Sequence, residues 1–202
     1  MGDQTQNIEG PIGYFGLANW WLATFTKTER KYIDATTESP TGGGPLTKGH
    51  ISFSSGTAAQ LLSALATNFY KPPDRRIARL MLAKAEELAK VAGNTLDLHY
   101  TYMGMIKTYY SDRDTDPAAL EAAISACERQ IDLAPDAAQA WRREYPNEPL
   151  PAHTGFTQLA VIREKQKDHA EAIRLSRLAM EQQWAGDWEG RIARNQKRLA
   201  EH

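Results

Sequence analysis

A single cysteine, Cys127, rules out an intramolecular disulfide and a cysteine-built metal cluster in this 202-residue chain. Long apolar runs are missing as well: none approaches the roughly 18 residues that a membrane span needs. An excess of one charge is absent, because 24 Lys and Arg face 25 Asp and Glu for a formal net charge of −1. That argues against nucleic-acid binding, which needs clustered cations. The most basic stretch, Arg191 to Arg198, reads instead as the solvated end of a helix, where cations complement the helix dipole. Alternating apolar and polar residues are scarce too, and Gly49 to Phe53 is the one strand candidate.

Motifs for metal and phosphate chemistry are equally thin. The histidines (His50, His99, His153, His169 and His202) form no HxxxH or HExxH pair. Asp112, Asp114 and Asp116 start like a calcium loop, but Pro117 stands where the loop needs its glycine and Ala123 where it needs its glutamate. Gly42, Gly43 and Gly44 precede Lys48, yet Gly49 follows that lysine and no strand leads in, so a phosphate-binding loop is not formed. The expectation is no metal and no cofactor. The polar start MGDQTQNIEG is unlike a secretory signal, and with the lone cysteine it points to the cytoplasm and to a chain that does not enter a membrane.

What the chain does have is helical periodicity. Residues 1–12 read as a flexible tail. Residues 13–36 read as an aromatic helix hairpin: Leu17, Trp21 and Phe25 share one face, and Thr26 with Glu29 has capping-box spacing for the second helix. Residues 37–55, rich in Gly and Pro, read as a long loop. From residue 56 to 202, helices are expected at about 56–70, 74–92, 96–111, 117–133, 136–145, 153–166, 169–183 and 187–200. Asp116-Pro117 and the Asp168/Glu171 pair mark two of the starts.

The helices repeat. Phe156, Leu159, Ala160, Ala172, Ser176 and Ala179 each lie 94 positions after Leu62, Leu65, Ala66, Ala78, Leu82 and Ala85. A third copy, Tyr100, Met103, Gly104, Ala123, Cys127 and Gln130, fits with seven residues inserted in its turn. This pattern, aromatic-x-x-aliphatic-small followed by small-x-x-x-bulky-x-x-small, resembles the tetratricopeptide repeat. It departs from that family at Lys107 and Arg163, where tyrosine is usual, and at Gln130, where alanine is expected. The resemblance implies an all-α solenoid of antiparallel helix hairpins, about nine or ten helices in all with a C-terminal capping helix, and 56–202 as one array.

The resemblance also implies a concave face lined by the first helix of each pair. Its candidates are Ser63, Thr67 and Tyr70, then His99, Thr101, Met105 and Thr108, then Thr157, Val161 and Glu164. The family's carboxylate clamp of Lys, Asn and Arg is absent from these positions. The expected function is a non-catalytic scaffold for a protein or peptide. The alternative is a small-molecule binder or enzyme with its site under the 37–55 loop, near His99, Tyr100 and Tyr102. A homodimer through the terminal aromatic surfaces stays open as a third reading. Cys127 falls on a helix-crossing position and reads as a small buried hydrophobe rather than a nucleophile.

Overall fold

A computed structural model describes residues 8–37 and 45–201. Residues 1–7 of the expected tail, residues 38–44 of the expected loop with their three glycines, and His202 lie outside the described residues. The protein is all-α. Among the described residues there are eleven α-helices and one isolated parallel bridge, Ala152 with Ala185. The strand candidate around Gly49 to Phe53 is irregular. No described helix is long and apolar enough to cross a membrane. The chain divides into two compact units, up to Lys84 and from Ala85. That boundary falls inside a helix, within the stretch expected to form one continuous array.

The first unit starts with α1 (Gly10–Tyr14), α2 (Ala18–Thr24) and α3 (Lys27–Thr37). Helix α1 lies partly on residues expected to be a flexible tail, and its Ile12 is fully buried. The reason is a main-chain clasp with the end of the 37–55 loop. Gly10 N–H donates to the Gly49 carbonyl at 2.7 Å and Ile12 N–H to the Leu46 carbonyl at 3.0 Å. Gly10 has φ +56°, and a Cβ there would meet the Lys48 carbonyl at 2.7 Å, so only glycine lets the strands of chain approach this closely. Leu17, Trp21 and Phe25 are buried together as their spacing predicts, with Trp21 and Phe25 edge to face at 5.1 Å. The Thr26/Glu29 capping box forms: Thr26 N–H donates to Glu29 Oε2 at 2.8 Å, and Glu29 N–H to Thr26 Oγ1 at 3.2 Å. Helix α4 (Ala58–Ala66) carries a second capping box, Thr57 with Gln60, and runs into a 3₁₀ turn, Thr67–Phe69.

Helix α5 (Arg75–Ala92) passes from the first unit into the second. The second unit continues with α6 (Thr95–Tyr110), α7 (Pro117–Asp132), α8 (Ala134–Glu144), α9 (Thr154–Lys165), α10 (His169–Glu181) and α11 (Trp188–Ala200). The helix starts follow their caps. Asp116 accepts from Ala118 N–H ahead of Pro117, and Asp168 accepts from Glu171 N–H. Helix α6 packs against α7, α8 and α9; α9 packs against α7 and α10; α10 packs against α11. Helix α6 is therefore the central element, which explains why its small and apolar residues face every direction instead of one stripe. At the crossings sit Ala123, Cys127, Ala172, Ser176 and Ala179, all fully buried. Ser176 satisfies its hydroxyl by donating to the Ala172 carbonyl at 2.7 Å.

Candidate functional site

The second unit concentrates its buried polar chemistry where α6, α7, the start of α9 and the α10–α11 turn meet. Gln130, near the end of α7, is fully buried and bonded at both ends of its amide. Its Nε2 donates to the His99 carbonyl at 2.9 Å, and its Oε1 accepts from Gly155 N–H at 2.7 Å. One side chain thus ties α7 to α6 and satisfies an orphan amide in the first turn of α9. His153 caps the same turn, its Nδ1 accepting from Phe156 N–H at 3.2 Å. That bond places the proton of the neutral ring on Nε2.

Around this link the rings close up. His99 stacks on Trp184 with centroids 5.4 Å apart and planes 6° from parallel. His153 stands edge-on to His99 at 5.1 Å and to Trp184 at 4.7 Å, with Phe156 behind it at 4.7 Å. Trp184 is held by its turn: Ala185 N–H donates to the Pro151 carbonyl, Trp184 Nε1 to Gln182 Oε1 and Trp188 Nε1 to the Trp184 carbonyl. His99 Nδ1 and His153 Nε2 have no hydrogen-bond partner. Burial pushes the His99 pKa down to about 4. Burial and then the proximity of His99 push His153 down to about 3. Both rings are neutral at pH 7 and shut away from solvent, which makes the cluster a buried junction of rings and amides between α6, α7 and α9.

The residues named from the sequence separate. His99 faces His153 and Trp184. Tyr102 turns the other way, donating to Glu86 Oε1 at 3.3 Å beneath the Arg129 guanidinium. Tyr100 is half-buried near Glu144 and Tyr145, and burial followed by those two charges raises its pKa. The three do not converge on one opening. Of the expected groove residues on α6, His99, Thr101, Met105 and Thr108 are all buried. Packing of α6 against α7, α8 and α9 removes these four from any open face. Thr157 on α9 is exposed and Val161 is half-buried. Glu164 is half-buried and engaged, accepting from Asn195 Nδ2 at 2.7 Å and pairing with Arg191 at 3.2 Å. In the first unit Ser63 and Tyr70 are half-buried and Thr67 is exposed, its hydroxyl on the Ala64 carbonyl.

Other singled-out groups have structural roles. Cys127 is buried and its thiol pKa is pushed up to about 12, by burial first and then by Glu128. Asp116 is a helix cap and Asp114 pairs with Arg113 at 3.0 Å. Among the described residues no group of three or more His, Cys, Asp or Glu is placed to hold a metal ion. Sequence reasoning passed over Gln130 and His153. The only signal for Gln130 was a long amide where the repeat has alanine; His153 carried none, because histidine is not a favoured cap.

Glu86 anchors the opposite side of α6. Lys90 Nζ and Arg129 Nη1 both lie 2.6 Å from its Oε1. Burial works against its charge, but the Lys90 hydrogen bond and the Arg129 guanidinium outweigh that and hold its pKa below the usual carboxylate value. Comparison with protein-family models, with curated proteins and with solved structures returned no match in any of the three, so the relation of this fold to others rests on its own packing.

Proposed function

We propose that this chain is a non-catalytic scaffold of tetratricopeptide-like hairpins that binds a protein or peptide segment. The stacking of two consecutive hairpins in the second unit carries the reading. Helices α6 and α7 form one and α9 and α10 the next; first helix packs on first helix, and α7 packs on α9. That order is how hairpins bury a continuous core when stacked, and it leaves one row of first-helix side chains for a ligand. The insertion before α7 and the extra helix α8 make the array irregular without breaking that order.

The open row differs from the one the repeat spacing suggests. On α6 it consists of Met103, Lys107 and Tyr110, which are exposed or half-buried, and on α9 of Thr157, Val161 and Lys165. The two helices are joined across this row by Lys165 Nζ donating to Tyr110 Oη at 2.9 Å. A cation and aromatic row suits a segment that offers carbonyl oxygens, carboxylates and apolar side chains.

A photo-crosslinking side chain at Lys107 or Thr157, with Glu121, exposed on α7, as the control position, tests the reading in cell extract. Capture of a partner polypeptide from the first two positions and not from Glu121 is expected. Recovery of only the protein itself from all three positions would count against it.

A further inference from the structure

We propose a second binding site, for a small organic acid carrying a carboxylate or phosphate group, in the first unit. A pocket of about 300 Å³ opens there, walled by Ile8 and Trp21 and ringed by Lys27, Lys31 and Lys48. That volume is at the lower end of small-molecule sites. Arg30, Asp34 and Thr47 complete the lining. Arg30 is already occupied: its guanidinium donates to the Leu22 and Phe25 carbonyls and fastens the end of α2 to α3. Asp34 is engaged as well.

The three lysines are different. All three are exposed, and none is in an ion pair among the described residues. Lys27 and Lys31 stand four apart in the first two turns of α3, where each repels the other and both oppose the helix dipole. Local stability argues for acidic residues at those positions. Lys48 is brought to the same pocket by the clasp on α1: Glu9 N–H donates to the Thr47 carbonyl at 3.1 Å and Gly10 N–H to that of Gly49 at 2.7 Å. The three lysines outweigh the single carboxylate of the lining, Asp34, and leave a pocket of net positive charge that suits an anion.

A second observation points to the same ligand. Trp21 on the pocket wall is fully buried, and its indole Nε1–H has no hydrogen-bond partner. Buried donors are almost always paired, so this one is left for an acceptor oxygen of a ligand in the pocket. Ile8 would pack on the carbon part of the ligand while the lysines and the Trp21 N–H take its acid group. Nothing here copies a phosphate-binding loop: the recognition is by side chains, and Lys48 acts as a point charge.

The indole N–H resonance of Trp21 reads out binding on the full-length protein. It is identified by its loss in Trp21→Phe and followed while inorganic phosphate or succinate replaces chloride at constant ionic strength. A saturable shift with either acid is expected, and which acid saturates first separates the phosphate from the carboxylate class. In Lys31→Glu/Lys48→Glu the apparent affinity should fall at least tenfold while the other resonances keep their positions. No saturable shift with either acid, or one that the double variant leaves unchanged, would overturn the proposal.

Discussion

The imidazole of His99 lies flat on the indole of Trp184, 5.4 Å between centroids and 6° from parallel. Trp184 belongs to the turn between α10 and α11, so this stack joins the central helix of the second unit to its last hairpin. With His153 edge-on to both rings and Gln130 bonded to the His99 carbonyl, both imidazoles are held away from solvent.

Acid should therefore loosen the second unit. In an unfolded chain both rings titrate near pH 6.5, whereas folded they take up protons only near pH 4 for His99 and pH 3 for His153. Between those limits the unfolded chain binds more protons, so stability falls as pH drops below about 6.5 and levels off below the folded values. Across its window His99 contributes a loss of about 3 kcal/mol and His153 one of about 5 kcal/mol. Urea unfolding at pH 7 and pH 4.5 measures it. His99→Phe keeps a flat ring on Trp184 and should shrink the loss between the two pH values by about 2 kcal/mol. An unchanged loss would mean that His99 does not stay neutral in the fold.

Gln130→Leu keeps the volume and removes both bonds. The His99 carbonyl and the Gly155 amide are then left buried and unpaired, and the cost should be about 2–5 kcal/mol for the two groups. Hydrogen exchange gives the specific readout: the Gly155 amide should exchange much faster in the variant, while amides in the middle of α10 slow or quicken only with global stability.

The repeat alignment was a statement about which positions touch neighbours, and that part could be read in the chain. Phe156, Leu159, Ala160, Ala172 and Ala179 and their counterparts 94 residues earlier are buried, because spacing alone decides which face of a helix is apolar. The middle copy is less regular: Tyr100 and Met103 are only half-buried, while Thr101 and Met105 are fully covered. Helix α6 has packing partners on several sides and mixes apolar with small polar residues along its length, so it shows no clear stripe from which its rotation can be read. The groove residues on α6 were misplaced for that reason. The buried junction was not legible either, since Gln130, His153 and Trp184 are far apart in sequence and each looks ordinary alone. Helix α1 escaped notice because the clasp that orders it is made of main-chain bonds to a loop, which leave almost no mark in residue type.

Helix crossings give a direct test of the packing. Ala172 and Ala85 are fully buried. Replacing either with Trp should overpack its crossing and cost about 1–3 kcal/mol or more, read as a lower urea midpoint at unchanged slope. A small effect at both positions would show that the aligned alanines are not crossing points.

The Cys127 thiol should be silent to reagents in the folded protein. Its pKa near 12 keeps it protonated at pH 8, and it is sealed between helices. An aromatic disulfide reagent is expected to titrate less than a tenth of a thiol per chain in native buffer and one thiol in denaturant. Rapid native labelling would reopen a chemical role for this residue.

Gly155 separates helix propensity from packing. In the first turn of α9 an alanine would be the better helix former by about 1 kcal/mol. A Cβ at this position, however, would meet Gln130 Oε1 at 2.9 Å, the Cys127 carbonyl at 3.0 Å and His153 Cε1 at 3.1 Å. The carbonyl belongs to α7 and cannot yield without moving that helix, and the glutamine oxygen is held by the Gly155 amide itself. Gly155→Ala should therefore destabilise by about 1–3 kcal/mol despite its better propensity. Combined with Gln130→Leu, the two losses should fall short of their sum, because both act on the same contact between α7 and α9. Strict additivity in that double-mutant cycle would mean that the glycine and the glutamine are not coupled.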